Sequence, residues 1–155
     1  MRRADREITD RGDIAGILMR AQTARLGLFS ENYPYIVPMS YGFELGEKLT
    51  VYFHCAKEGR KLELISKNHG AALEVDNLLE VQVYEISCKS DAGYESVMAV
   101  GNVSAVEDEE EKLHGLCKIM QHYGAENPVF EPDRVKKVEV LKFVANSFTA
   151  KRLTV

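Results

Sequence analysis

The sequence predicts a mainly β fold, a single antiparallel β-barrel with helices inserted between its strands. The chain has 155 residues, enough for one domain with a hydrophobic core and too few for two. After a first helix, the apolar residues follow the two-residue period of strands, and short turns separate the strands. No glycine-rich turn leads from a strand into a helix, which argues against a Rossmann domain or a P-loop.

Composition excludes several classes of function. Hydrophobic residues make up 45% of the chain and charged residues 28%, as is typical of globular proteins. The formal net charge of −4 gives no general attraction to nucleic acid or to an anionic membrane. Three cysteines (Cys55, Cys88 and Cys117) lack metal-ligand spacing, so we expect reduced thiols, no bound metal and a cytoplasmic location. Neither a signal peptide nor a membrane-spanning segment is evident.

The first predicted elements are one helix and two strands. Residues 9–21 have apolar side chains at helical spacing, and Thr9 or Asp10 can cap the helix. Residues 25–30 form a short apolar strand, and residues 33–44 form a longer one. Because Pro38 cannot donate to a ladder, we expect the longer strand to bulge or to lie on a sheet edge there.

Strand 48–55 shows the cleanest alternation in the chain. One face should line the core and consists of Leu49, Val51, Phe53 and Cys55. The opposite face is amphipathic and consists of Thr50, Tyr52 and His54. We therefore expect this second face to meet something other than bulk water.

The rest of the chain is predicted to hold two helices and four strands. The helices span residues 60–68 and 107–123, and the strands span 71–76, 80–88, 94–106 and 138–144. The apolar stripe of the second helix is predicted to comprise Leu113, Leu116, Cys117 and Met120.

The turn after strand 48–55 is dense in cations, with Lys57, Arg60 and Lys61 close together. Cations at a helix start oppose the helix dipole, and an anion bound by these side chains and the free backbone N–H groups would resolve the conflict. A solvated basic turn that pairs with Glu58 and Glu63 is the alternative, and the pattern alone favours it. Because no hydrolytic motif is present, the chain is either a binding module or a protein whose cofactor supplies the chemistry.

Four segments appear in an order that resembles a known family. They are Arg2-Arg3 with Asp5-Arg6-Glu7, Tyr33-Pro34-Tyr35-Ile36-Val37-Pro38-Met39, residues 52–62, and Tyr94-Glu95-Ser96-Val97-Met98-Ala99-Val100-Gly101. Together they resemble the flavin-binding split-barrel proteins of the pyridoxamine 5′-phosphate oxidase-like superfamily, and especially its nitroimidazole-resistance branch. The resemblance extends to residues 148–152. It implies a six-stranded antiparallel Greek-key split barrel that forms a homodimer with FMN at the subunit interface.

The resemblance also implies which residues bind FMN. The turn residues Gly59, Arg60 and Lys61 would contact its phosphate. The strand that ends at His54 and Cys55 would flank the ribityl chain and the ring.

Two further strands complete the site that the resemblance implies. The strand that carries Pro38, Met39 and Ser40 would run beside the isoalloxazine ring. Ser96 and Val97 lie on a strand that would reach the site from the partner subunit.

His54 is the candidate catalytic residue, and its possible roles are flavin neighbour, proton donor or axial metal ligand. The simpler alternative is a half-buried histidine bonded to a backbone carbonyl. Cys55 is more commonly a buried, unreactive thiol than a redox centre in such a position. We expect His69, His114 and His122 on the surface or on helix faces.

Two functional hypotheses follow. The first is an FMN-dependent oxidoreductase that accepts electrons from a nicotinamide or protein donor and reduces a small-molecule acceptor. The second is a binding protein on the same barrel that holds FMN, haem or another planar ligand without turnover. The chain has no tryptophan and lacks the C-terminal aromatic and basic signature of true pyridoxamine phosphate oxidases, so that substrate is not implied.

Overall fold

A computed structural model describes residues 3–155, so Arg2 of the N-terminal motif lies outside it. The helices are α1 (Arg11–Arg20), α2 (Arg60–Lys67), α3 (Glu109–His122) and α4 (Pro132–Val135). The strands are β1 (Glu7–Ile8), β2 (Ala24–Leu28), β3 (Tyr35–Met39), β4 (Tyr41–Leu45), β5 (Leu49–Ala56), β6 (Gly70–Gln82), β7 (Asp91–Ala105) and β8 (Val138–Leu153). Among residues 3–155, no helix is long and apolar enough to span a bilayer.

The strands form one antiparallel sheet in the order β3-β2-β6-β7-β8-β5-β4, and β1 adds to β8. Its two end strands, β3 and β4, are separated only by Ser40, so the chain bends there and joins both ends of the sheet. Counted as one bent strand, they close a six-stranded barrel, which confirms the predicted fold class. The single predicted strand 33–44 is therefore divided, and Pro38 lies on an edge strand as expected.

Helix α1 confirms its prediction closely. The side chain of Asp10 caps it by accepting a 2.9 Å hydrogen bond from the backbone N–H of Asp13. Its apolar face, Ile14, Ile17 and Leu18, is buried in the barrel core.

The two faces of β5 meet different partners. The four residues predicted to face inward are all buried in the main core. On the other face, Tyr52 is also buried, because α3 covers it and forms a second apolar cluster with Val140 and Leu116. Part of the amphipathic face is thus covered within the chain, while His54 remains exposed.

The predicted stripe of α3 is wrong in part. Leu113 and Met120 are each 42% exposed, and the helix instead buries Gly115, Leu116, Ile119 and His122. The reason is steric. Gly42 on β4 has no side chain, so the backbone of α3 at Lys118 and Ile119 packs directly against it.

The last strands are longer than predicted. The predicted strands 71–76 and 80–88 are one strand, β6, whose register shifts between Leu78 and Glu80, and Cys88 lies in a short 3-10 helix. Strand β8 continues to Leu153 instead of ending at residue 144, because it pairs with β7 along both halves of its length. These bounds depend on pairing between distant segments.

A buried carboxylate connects α1 to the barrel. Glu95 on β7 is 1% exposed and accepts two 2.8 Å hydrogen bonds from Arg20 and one of 2.9 Å from Arg152. Asn77 donates another, at 2.9 Å. Burial raises the pKa of Glu95, but the hydrogen bonds and positive charges of Arg20 and Arg152 outweigh it, and the net pKa is lowered.

We expect Glu95→Ala to reduce the free energy of unfolding by about 2 kcal/mol, because it removes the buried acceptor of four hydrogen bonds. Because folding lowers the pKa of this carboxylate, its ionisation stabilises the folded protein. The stabilisation is fully present above the pKa of the carboxylate in the unfolded chain, and it is lost as pH falls through the pKa in the folded protein. Urea unfolding from neutral to acidic pH should therefore show a smaller acid loss in Glu95→Gln than in wild type. Exposed Glu126 provides the control variant Glu126→Ala, and equal stability of the two alanine variants would contradict this account.

Candidate functional site

The turn before α2 has a backbone that only glycine adopts easily. Gly59 has φ 127°, and its carbonyl accepts the backbone N–H of Leu62 at 3.0 Å and of Glu63 at 3.3 Å. No side chain caps the helix that follows. The first N–H groups of α2 therefore remain available to an external acceptor.

Arg60 and Lys61 stand at this helix start. The guanidinium of Arg60 lies 5.6 Å from the ring centroid of Tyr35 on β3. Burial raises the pKa of the Cys55 thiol at the end of β5, and the positive charge of Lys61 lowers it in part. Within residues 3–155, neither Arg60 nor Lys61 forms an ion pair. The ion pairs of this turn with Glu58 or Glu63 that the alternative expects are thus absent from the described residues, while the turn itself is exposed to solvent.

The bend at Ser40 brings β3 and β5 together. Tyr41 pairs with Phe53, so one step beyond this ladder Ser40 lies next to the position of His54. The side chains of Ser40 and His54 are both exposed. Pro38, two residues before Ser40, is exposed as well, because side chains two apart in a strand point to the same face. Three predicted residues thus face outward near the bend, and Arg60 at the start of α2 lies 5.6 Å from the ring centroid of Tyr35 on β3.

Met39 and Cys55 alternate with these residues and face inward. Each is 8% exposed and belongs to the main core. A ligand on the outer surface would therefore meet their backbone rather than their side chains.

Ser96 and Val97 lie elsewhere in the chain. They are on β7, which β2 and β6 separate from β3. Val97 is fully buried in the core, and Ser96, opposite Asp76 and Lys151, is almost buried. Within one chain, the structure does not bring these two residues to the surface that carries Pro38, Ser40 and His54.

An apolar groove on the outer sheet face is a feature that the sequence pattern did not predict. Cross-strand pairing places Ile36, Gly27, Ala72 and Val100 in one row across four strands. This row and Met98 line a groove of about 520 Å³. Large exposed apolar surface of this kind commonly marks an interaction site. The alternation of side chains along β7 indicates that Met98 and Val100 share one face. The residues of the other strands that lie beside them could be identified only from the pairing register of the sheet.

The burial of His122 was also missed, since a helix-face or surface position was expected. Its Nε2 donates to the Ala21 carbonyl at 2.9 Å, and its ring centroid lies 4.4 Å from that of Tyr41. Burial lowers the pKa of His122, outweighing the hydrogen bond to Ala21, so the imidazole is neutral near pH 7. His122 therefore joins α3 to the end of α1 and takes no part in the candidate site.

An antiparallel barrel closed by one bent strand, with helices inserted between its strands, has the architecture of the split-barrel proteins. The sequence pattern of the pyridoxamine 5′-phosphate oxidase family matches residues 10–152. The chain belongs to this family. A comparison with curated proteins finds no match.

Solved structures support the assignment. A candidate 5-nitroimidazole antibiotic resistance protein from Bacteroides thetaiotaomicron is 31% identical with a TM-score of 0.80, over 94% of this chain and 86% of that one. An FAD and heme binding protein from Mycobacterium smegmatis is 19% identical with a TM-score of 0.77, over 94% and 72%. An FAD-binding protein from Mesorhizobium loti is 15% identical with a TM-score of 0.65, over 94% and 96%. The last two show the shared fold alone.

Proposed function

We propose that the protein binds FMN between the start of α2 and the bent strand, and that it is a flavin-dependent oxidoreductase. It would accept electrons from a nicotinamide donor and reduce a small-molecule acceptor. One observation carries the proposal: Arg60 and Lys61 stand together at an uncapped helix start, and neither forms an ion pair within the described residues.

The residues present fit the phosphate of FMN. A phosphate monoester has about two negative charges near neutral pH and must be neutralised when it leaves water. Arg60 can form two parallel hydrogen bonds with phosphate oxygens, and Lys61 adds a compact charge. The free N–H groups of α2 and its dipole favour the same anion.

The outer surface beside the helix would hold the rest of the cofactor. When bound, FMN supplies the electron-transfer chemistry. Pro38 and Ser40 offer a rigid strand edge, and the exposed imidazole of His54 can donate a hydrogen bond from a ring N–H to a ligand atom. The Cys55 thiol faces the core with a raised pKa, so we assign it no chemical role.

The purified protein tests this proposal directly. We expect a yellow protein with flavin absorbance, FMN in its heat-released extract, and bleaching by NADH or NADPH that air reverses. Mass spectrometry of the extract would distinguish FMN from FAD. The distinction is needed because FAD is the flavin named for two of the similar structures. Retained flavin that neither nicotinamide reduces would favour a binding protein, and haem or no pigment after reconstitution would contradict the proposal.

We also propose a homodimer formed through the outer sheet face. Met98 and Val100 are more than half exposed in one chain, and burial against a second copy would remove this apolar surface from water. Light scattering should give a mass about twice the 17.4 kDa of the chain. Met98→Glu should shift it toward the monomer, whereas Met19→Glu, at a similarly exposed methionine on α1, should not. A monomeric wild type at micromolar concentration would exclude the dimer.

His54→Leu should change the flavin spectrum or weaken FMN binding while leaving the unfolding transition nearly unchanged, because the side chain is exposed and outside the core. His54→Gln retains a hydrogen-bond donor and should be closer to wild type. Absorbance spectra and FMN titrations of both variants provide the measurement. A loss of stability without any spectral change would instead assign His54 a structural role.

A further inference from the structure

A second groove borders the phosphate turn. It lies between α2 and the loop that joins β2 to β3, and has a volume of about 550 Å³. Arg60, the first residue of α2, is one of the residues that line this groove. The groove is within the size range of small-molecule sites.

The loop side of the groove presents two exposed aromatic rings. Phe29 is 65% exposed and Tyr33 is 62% exposed. Ser30 Oγ bonds to the Tyr33 carbonyl, which folds the loop back on itself. Aromatic rings held at a groove margin are stacking surfaces for a planar base.

The helix side of the groove is polar. Arg60, Glu63 and Lys67 recur at the spacing of one helix face and line the groove, whereas Leu62 and Ile65 face the barrel core. Within residues 3–155, none of the three charged side chains forms an ion pair. The charges of this face are therefore not neutralised by an ion-pair partner within the described residues.

We propose that this groove binds the adenosine 5′-phosphate part of a dinucleotide. The base would stack against Phe29 and Tyr33, the phosphate would meet Arg60, and the Glu63 carboxylate would accept hydrogen bonds from ribose hydroxyls. The inference rests on the proposed function, since it places this nucleotide next to the flavin phosphate. The nucleotide has two possible sources, the adenylate half of FAD or that of a nicotinamide dinucleotide donor.

Calorimetric titration of the FMN-reconstituted protein, from which any FAD has been removed, with 5′-AMP tests the groove. Tyr33→Ala and Phe29→Ala should each weaken AMP binding about five- to a hundredfold, the range that loss of one stacked base produces. Tyr33→Phe keeps the ring and should bind nearly as wild type. Tyr84→Ala removes an exposed tyrosine from the distant β6–β7 hairpin and should have no effect.

Two further titrations distinguish the sources. If the adenylate belongs to FAD, Tyr33→Ala weakens FAD binding but not FMN binding, and AMP competes with FAD. If the adenylate belongs to the nicotinamide donor, Tyr33→Ala binds FMN and FAD each as tightly as wild type does. The KM of the variant for NADH or NADPH then rises. Either result supports the groove.

No AMP binding at millimolar concentration, or AMP binding that neither alanine variant changes, would overturn this inference. FMN binding to wild type is measured in the same series and tests the proposed function by itself. If the protein binds FMN but not AMP, the proposed function therefore stands and only the proposed nucleotide site in the groove is refuted.

Discussion

The variant Arg60→Ala/Lys61→Ala should bind FMN about a hundredfold more weakly than wild type. Each charge-assisted hydrogen bond to a phosphate contributes about 1.5–3 kcal/mol, so either single variant should lose about ten- to a hundredfold in affinity. The two losses need not add, because both side chains meet one phosphate. Stability should change little, since Arg60 is exposed and neither side chain pairs with a carboxylate within residues 3–155.

Riboflavin provides the internal control, because it lacks the phosphate. It should bind wild type poorly and respond little to the two substitutions. Lys136→Ala/Lys137→Ala makes the same charge change at an exposed pair before β8 and should leave FMN affinity unchanged. Fluorescence titration that gave equal FMN affinities for wild type and the Arg60/Lys61 variant would exclude the start of α2 as the phosphate site.

Gly42→Ala should lower the free energy of unfolding by about 3 kcal/mol, at the upper end of the usual effect of overpacking. A Cβ at this position would lie 2.2 Å from the carbonyl carbon of Lys118 and 2.3 Å from the backbone nitrogen of Ile119. These are backbone atoms of α3 and cannot move aside as a flexible side chain can. The helix must shift away from β4, and Tyr52 and Val140 then lose part of their cover.

Thermal and urea unfolding would measure this effect, which corresponds to a Tm lower by roughly 10 °C. Gly46→Ala is the matched control, because a Cβ at Gly46, in the β4–β5 turn, would meet nothing within 4 Å. Near-UV circular dichroism should change for the first variant and not for the second. If both variants unfolded alike, the close packing of α3 on Gly42 would be refuted.

The sequence by itself determined the elements whose signals are local. The inward set of β5 follows from alternation, because a strand turns successive side chains to opposite faces whatever it pairs with. Helix α1 follows from its cap at Asp10 and the spacing of Ile14, Ile17 and Leu18. The basic turn at Gly59 and the start of α2 were equally visible, since glycine and the cations are adjacent in the chain.

Only the tertiary structure decided which segments meet. Which face of α3 is buried depends on Gly42, some 70 residues earlier, because the helix backbone packs where this residue has no side chain. Hydrophobic periodicity cannot predict such a contact, since it considers only the side chains of the helix itself. The length of β8 depends on its partner β7. Likewise, the role of Glu95 as a buried ion-pair partner is visible only in the structure, because Arg20 and Arg152 come from distant parts of the chain.

The candidate site divides in the same way. Its residue types could be identified from the sequence, but the bend at Ser40 was needed to place Ser40 beside His54, and the docking of α2 was needed to set Arg60 over Tyr35. The groove between α2 and the aromatic loop had no sequence signal, because its two walls are about 30 residues apart. Pairing register and helix docking are relations between distant segments, and they are settled by packing and hydrogen bonding that no local pattern encodes.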